Sequence, residues 1–320
     1  MNDPQDSRKA ASAARGDRPR TGGASSTALG NAFMRAFHTA HEPAPVHVDP
    51  VAAQLLSEQE WAFFRGSVLG SSAVRGPQAD RNPEGAIRRW MRAGSVAAPH
   101  VLLRGRHTED ALRRACGRGA RQYLLLGAGF DSFALRRPEW AEGLTVYEID
   151  QPATQELKRA RVARLRPDGV TGLRMVPANL AEQRLDEVLR KVPGLDGTRR
   201  TFVAWSGVTY YLQEQAISAT LEALGGFFTA GLTVVLDYWE ARHLAEPRDA
   251  AVASMAASVR RNGEPFVWGS SPRELATLAS STGYQVLADV SAVEVAKDCQ
   301  ARGSVALSPH PIGRFAELEG

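Results

Sequence analysis

The stretch "QYLLLGAGFDSFALRRPEWAEGLTVYEID", from Gln122 to Asp150, constrains the fold more than any other part of the chain. It reads as a short apolar strand, a glycine pair, a helix start and a second strand that ends in acid. The alternation continues downstream. Short β-rich runs fall at residues 122–126, 144–149, 173–176, 201–205 and 232–238. The helical stretches "QPATQELKRARVARLR", "RLDEVLRKV" and "LQEQAISATLEALGGFF" separate them. Continuous apolar strands joined through helices predict an α/β domain whose parallel sheet is covered on both faces. Further on, "SPRELATLASSTGY" predicts a helix and "QVLADVSAVEVA" a strand or hairpin.

Upstream of the alternation the pattern is helical. Ser25 or Ser26 can cap a helix in which Leu29, Phe33 and Phe37 recur every four residues on one face. "VDPVAAQLLS" predicts a turn at Asp49-Pro50 followed by a helix, and further helices are expected near 86–93 and 108–116. The aromatic and loop-rich segment "EWAFFRGSVLGSSAVRGPQADRNPEG" has the character of a cover over a site. Residues 1–24 are polar, small and rich in Gly and Pro, so they are expected to be disordered. The expected organisation is that tail, then a single domain over 25–320. Within it, 25–120 form a helical extension and cover, and 121–320 a Rossmann-like core.

Composition narrows the function. Hydrophobic residues make up 43% and charged residues 23%, which suits a soluble globular chain. The net charge of +4 comes from scattered arginines, so nucleic acid is not an expected partner. No apolar run approaches the roughly 20 residues of a membrane helix, and the N-terminus has no apolar signal core, so a cytoplasmic protein without membrane partners is expected. Cys116 and Cys299 make neither a disulfide framework nor a zinc set. Seven histidines show no HExxH spacing, and His38 with His41 are too few for a metal site. No GxSxG elbow points to a serine hydrolase. "ELKRARVARLR" is expected to pack through Leu157, Val162 and Leu165 and to solvate its basic face.

The glycine loop carries the chemistry. Gly127 and Gly129 let the backbone turn sharply and approach a ligand that a Cβ would block. An acid at the end of the next strand can hold two ribose hydroxyls. Glu148 and Asp150 lie two apart and share a face, and Asp150, at the strand end, is better placed. Ser132 stands where a dinucleotide fingerprint has its third glycine, so a nicotinamide-dependent oxidoreductase is a second reading, and a tight turn without ligand a third.

The wider set of motifs resembles the leucine carboxyl methyltransferase family, in particular its bacterial small-molecule branch. The stretches are "SSTALGNAFMRAFHTA", "VHVDPVA", "YLLLGAGFDSFALR", "VYEIDQPATQELK", "FVAWSGVTYYL" and "GEPFVWGSSPRELATLASSTGY", in the family's order and over nearly everything after residue 24. The resemblance implies a class I methyltransferase fold, with a mostly parallel sheet of about seven strands. It implies S-adenosyl-L-methionine as cofactor and S-adenosyl-L-homocysteine as product. Gly127, Ala128 and Gly129 match the loop that passes the methionine part. Asp150, followed by Gln151, matches the ribose acid. Arg104 matches the arginine that pairs with the cofactor carboxylate, a two-pronged contact, although Arg106 could exchange roles with it. Asn179, followed by Leu180, stands where the family usually has aspartate, and its oxygen can accept from the adenine amino group. Ser206 stands where many members have glutamate. Tyr210 and Tyr211 are candidates for positioning the acceptor, and Phe266 and Trp268 either wall a pocket or anchor their loop. The implied activity is O-methylation of a carboxylate or hydroxyl of a small molecule, with secondary metabolism as an analogy. A non-catalytic cofactor-binding homologue is the alternative that Asn179 and Ser206 leave open.

Overall fold

A computed structural model describes residues 22–244, 249–261 and 263–320. Seven strands form one sheet: β1 Gln122–Leu126, β2 Thr145–Asp150, β3 Leu173–Pro177, β4 Thr201–Trp205, β5 Leu232–Trp239, β6 Gln285–Ser291 and β7 Gly313–Glu319. Their order is β3-β2-β1-β4-β5-β7-β6, and β7 alone runs antiparallel to its neighbours. The order reverses between β1 and β4. In an open α/β sheet that reversal leaves a crevice beyond the carboxyl ends of the two strands.

The sheet is sealed on both sides because its central strands carry apolar residues at both parities. Leu124, Val203 and Leu236 face helices Glu214–Phe227 and Pro272–Ser281, meeting Ile217, Leu221, Leu224 and Leu275. Tyr123, Leu125, Phe202 and Val235 face the other way, onto Ala111, Leu112 and Ala115 of helix Ala97–Gly117. Helix Ser26–His41 is capped by Ser25, whose Oγ accepts from the Ala28 N–H at 3.1 Å, and it buries Leu29, Phe33 and Phe37 as its spacing predicts. The expected tail lies outside the described residues over 1–21. Its last residues, 22–24, are described, and Ala24 is buried. Among the described residues no helix is long and apolar enough to cross a membrane.

Several elements differ from expectation, each for a local reason. The helix expected at 108–116 runs from Ala97 to Gly117, because Pro99 sits in the first turn, where its missing N–H is not needed, and the Ser95 Oγ accepts from Ala98 N at 3.1 Å. The helix expected near 86–93 is Pro83–Arg89, started by an Asn82 cap and continued by a wide turn over Trp90–Gly94. After Asp49-Pro50 only a single 3-10 turn forms, Ala52–Leu55. The glycine loop leads not into a full helix but into the short turns Phe133–Leu135 and Glu139–Ala141, with Pro138 between them. "SAVEVA" is helical rather than extended: Ser291 and Glu294 form a reciprocal capping box at the start of Ala292–Ala301. Nor is the basic face of helix Pro152–Leu165 wholly solvated. Lys158 and Arg161 are buried, paired with Glu148 at 2.6 Å and Glu60 at 2.7 Å.

Candidate active site

A cavity of about 990 Å³ opens at the crevice between β1 and β4. Its floor depends on glycine. Gly127 has φ +73°, and a Cβ there would stand 2.4 Å from the Val208 side chain. Gly129 has φ +51° and would meet the Ala28 methyl at 3.0 Å. The N–H groups of Gly127 and Ala128 donate to the Ile149 carbonyl, tying the turn to the end of β2.

Asp150 ends β2 at the cavity wall. Its carboxylate accepts from Gly129 N at 2.5 Å and Gln151 N at 2.6 Å. Burial pushes its carboxyl upward against those two bonds. Glu148, the other acid of "EID", is committed elsewhere: it lies under the sheet surface with Lys158 on it. The acid that reaches the cavity is therefore Asp150.

Arg104 reaches the cavity from helix Ala97–Gly117. Its Nη1 donates to Asp237 Oδ2 at 3.0 Å and to the Tyr210 hydroxyl at 3.2 Å. Asp237 also takes Gly207 N at 2.6 Å and faces His100 Nε2 at 2.8 Å. Burial alone would raise the Asp237 carboxyl, but Arg104, His100 and Gly207 outweigh it and hold it near 2. Arg106 points away, to Asp110 at 2.9 Å, and does not line the cavity. The geometry thus gives the cavity to Arg104.

The remaining candidates divide. Gln151, Asn179, Leu180, Ser206 and Tyr211 line the cavity, whereas Gly129 and Tyr210 support it from behind. The Asn179 oxygen already accepts from Ala181 N at 3.1 Å, so only its second lone pair is open to an adenine. Ser206 Oγ is buried without a hydrogen-bond partner, which is what a group meant for a ligand looks like. Burial pushes the hydroxyls of Tyr210 and Tyr211 well above their ordinary range, so both are donors at neutral pH. Phe266 and Trp268 do not wall the cavity. Phe266 packs on both tyrosines, and Trp268 lies in the main core with its N–H 3.3 Å from Glu214, so they anchor the loop.

Three features escaped the sequence reading. Asp237 sits in a fully buried strand and looks like part of "VVLDYW" until its partners are known. Glu264, in "GEPFVWG", lines the cavity opposite the strand ends. Asp49, inside the quoted "VHVDPVA", is fully buried and takes Arg35 Nε at 2.8 Å and Ala52 N at 3.0 Å. Arg35 Nη2 donates onward to the Phe130 carbonyl at 2.7 Å, and Arg136 joins Asp49 to Glu109. Burial works against the Asp49 charge, but Arg35 and Arg136 hold its carboxyl well below the usual range. The "DP" turn is thus a bolt between the first helix and the glycine loop.

The strand order, with β7 slotted antiparallel between β5 and β6, and a glycine turn facing a strand-end acid define a class I S-adenosylmethionine-dependent methyltransferase. A family model described as leucine carboxyl methyltransferase matches residues 28–225, and the chain belongs to that family. The relative "Putative S-adenosyl-L-methionine-dependent methyltransferase YktD" of Bacillus subtilis (strain 168) is 28% identical over 270 residues, 83% of this chain and 88% of its own. The "Putative S-adenosyl-L-methionine-dependent methyltransferase FRAAL3718" of Frankia alni is 30% identical over 233 residues, 73% of this chain and 75% of its own. The "crystal structure of a putative methyltransferase from Thermobifida fusca YX" superposes with a TM-score of 0.51 at 15% identity, covering 79% of this chain and 92% of that one, a likeness of fold.

S-adenosylmethionine is the methyl donor of this class, and the residues fit it. The cavity has a strand-end acid whose oxygens each hold one backbone N–H and keep a further lone pair, a guanidinium, an unpartnered buried hydroxyl and glycines where a Cβ would fill the cradle.

Proposed function

We propose that the chain methylates an oxygen of a small molecule, and that this oxygen belongs to a carboxylate. Asp150 would hold the ribose of the donor, Arg104 its carboxylate, and Asn179 with Leu180 its adenine. The donor supplies a methyl group on a sulfonium, which is electrophilic without further activation. What this chain must do is hold the acceptor oxygen in line and keep water out. The size of the cavity, at the upper end for small-ligand sites, leaves room for a second molecule beside the donor.

The observation that favours a carboxylate is the state of the lining groups. A hydroxyl acceptor must lose a proton, so it needs a base. Tyr210 and Tyr211 are held in their protonated forms. His47 is the histidine at the wall; its Nε2 is engaged with Glu109 at 2.9 Å, and its Nδ1, though unpartnered, is buried on the side of Gly105. The wall carboxylates are far too weak as bases for an aliphatic alcohol. A carboxylate is already a nucleophile and needs only donors to place it, and Tyr211 and Ser206 are neutral donors. The test is Ser206→Glu, assayed on matched acid and alcohol acceptors. Turnover of the acid should fall by about tenfold or more relative to the alcohol, through like-charge repulsion in a partly dry site. An unchanged ratio would remove residue 206 from acceptor choice.

A further inference from the structure

The cavity wall carries several carboxylates, and nearly all are already satisfied. Glu109 is taken by Arg136 and His47. Asp186 is taken by Arg184 and Arg190. Asp131 accepts from Phe133 N at 2.8 Å and shares the field of Arg136. Asp150 takes the Gly129 and Gln151 N–H groups, and the proposed function gives its remaining lone pairs to the ribose. Glu182 and Glu222 are exposed on the outer rim. Glu264 is different. It is half-buried, and among the described residues its hydrogen-bond partners are hydroxyls only, Thr27 Oγ1 at 2.5 Å and Ser25 Oγ at 3.5 Å. A carboxylate in a partly dry site without a cation is unsatisfied in charge, though not in hydrogen bonds.

The methyl donor brings the missing cation. Its methionine end carries a sulfonium and an ammonium, and residue 206, the cavity-lining position where the family resemblance expects a glutamate, holds a neutral group, Ser206, with an unpartnered buried hydroxyl. We propose that Glu264 is the anionic group that recognises the cationic methionine end of S-adenosylmethionine, in place of a carboxylate at residue 206. The reach of Glu264 agrees with this. Its charge is felt both at Asp150, on the ribose side, and at Tyr211, beside the Arg104 end. The arrangement also separates two demands. The negative charge that favours the donor sits on the covering loop, while the Ser206 and Tyr211 edge stays neutral for an anionic acceptor. The proposal rests on the reading that Asp150 and Arg104 seat the donor in this cavity.

The bland alternative is that Glu264 only latches the start of helix Ser26–His41 through Ser25 and Thr27. Calorimetry on the full chain separates the two, using S-adenosylmethionine, S-adenosylhomocysteine (ammonium but no sulfonium charge) and methylthioadenosine (neither). For Glu264→Gln the expected result is a loss on the order of tenfold for S-adenosylmethionine with methylthioadenosine unchanged. If S-adenosylhomocysteine falls equally, the ammonium is the partner; if it does not, the sulfonium is. Adding Ser206→Glu to Glu264→Gln should recover affinity for S-adenosylmethionine. Equal losses for all three ligands, no loss for any, or no recovery in the double variant would overturn the assignment. Failure of the unaltered chain to bind S-adenosylmethionine, or indifference of binding to Asp150→Ala, would instead overturn the seating on which it rests.

Discussion

Helix Glu214–Phe227 meets the sheet through Ile217, Leu221 and Leu224, fully buried among residues such as Leu124, Val203 and Leu236. Helix Ser26–His41 meets the glycine loop through apolar packing of Leu29 and Ala32 with Phe130 and, in addition, through Arg35, which joins Asp49 to the Phe130 carbonyl. The first contact is non-directional and spread over many atoms, so it degrades by degrees. The second adds to its apolar packing a few charges whose partners, once removed, stay behind in a dry place. It also bears directly on a ligand site. The sheet helix meets the sheet by apolar packing, and the first helix is held by apolar packing reinforced with ionic bolts.

The largest expected effect comes from breaking a bolt. Asp49→Ala leaves Arg35 and Arg136 facing each other without their shared acid, at a cost of about 3–5 kcal/mol in urea melts. Leu221→Ala, in the sheet helix, should lose about 2–5 kcal/mol by cavity formation. The two part company in the ligand readout: Asp49→Ala should also weaken S-adenosylmethionine binding, and Leu221→Ala should not. Equal ligand affinity in both variants would dissolve the comparison.

The Glu148–Lys158 pair sharpens it, because it is an ionic contact under the sheet surface. Lys158→Met should cost about 3 kcal/mol, and Lys158→Met with Glu148→Met should recover most of that, since paired charges in a dry interior are often replaceable by apolar groups. A double variant as unstable as the single one would mean that the pair is worth far more than its removal from water costs.

The smallest effect concerns pH. Burial pushes His38 from 6.5 down to about 4, and its Nε2 accepts from Val46 N at 2.9 Å, a bond that protonation would break. Above pH 6.5 the group is neutral in both folded and unfolded chains and contributes nothing. Between 6.5 and about 4 the unfolded chain binds the proton first, so stability falls with pH, by about 1–1.5 kcal/mol at pH 5.5. His38→Gln should flatten that part of the curve; an unaltered slope would assign it to other groups.

What the sequence made legible follows the same division. The five parallel strands, the glycine turn and Asp150 could be read because apolar runs and positive-φ glycines leave local marks. The capping box at Ser291 and Glu294 is a local mark too, a serine followed three residues later by a glutamate. The strand Gly313–Glu319 carries charges within a short terminal segment, and only its place between β5 and β6 makes it a strand. Asp237 and Glu264 had no local mark of a role, and Asp49 only that of a turn. Each acquires its meaning from partners far along the chain: Arg104 for Asp237, Arg136 for Asp49 and Thr27 for Glu264.

The central claim is that the crevice between β1 and β4 seats S-adenosylmethionine with Asp150 on its ribose, and calorimetric affinity in the unaltered chain and in Asp150→Ala tests it most directly. The account predicts a loss of about 1.5–3 kcal/mol, roughly tenfold to a hundredfold, in a variant that melts like the original. Unchanged affinity in a folded Asp150→Ala chain would contradict it.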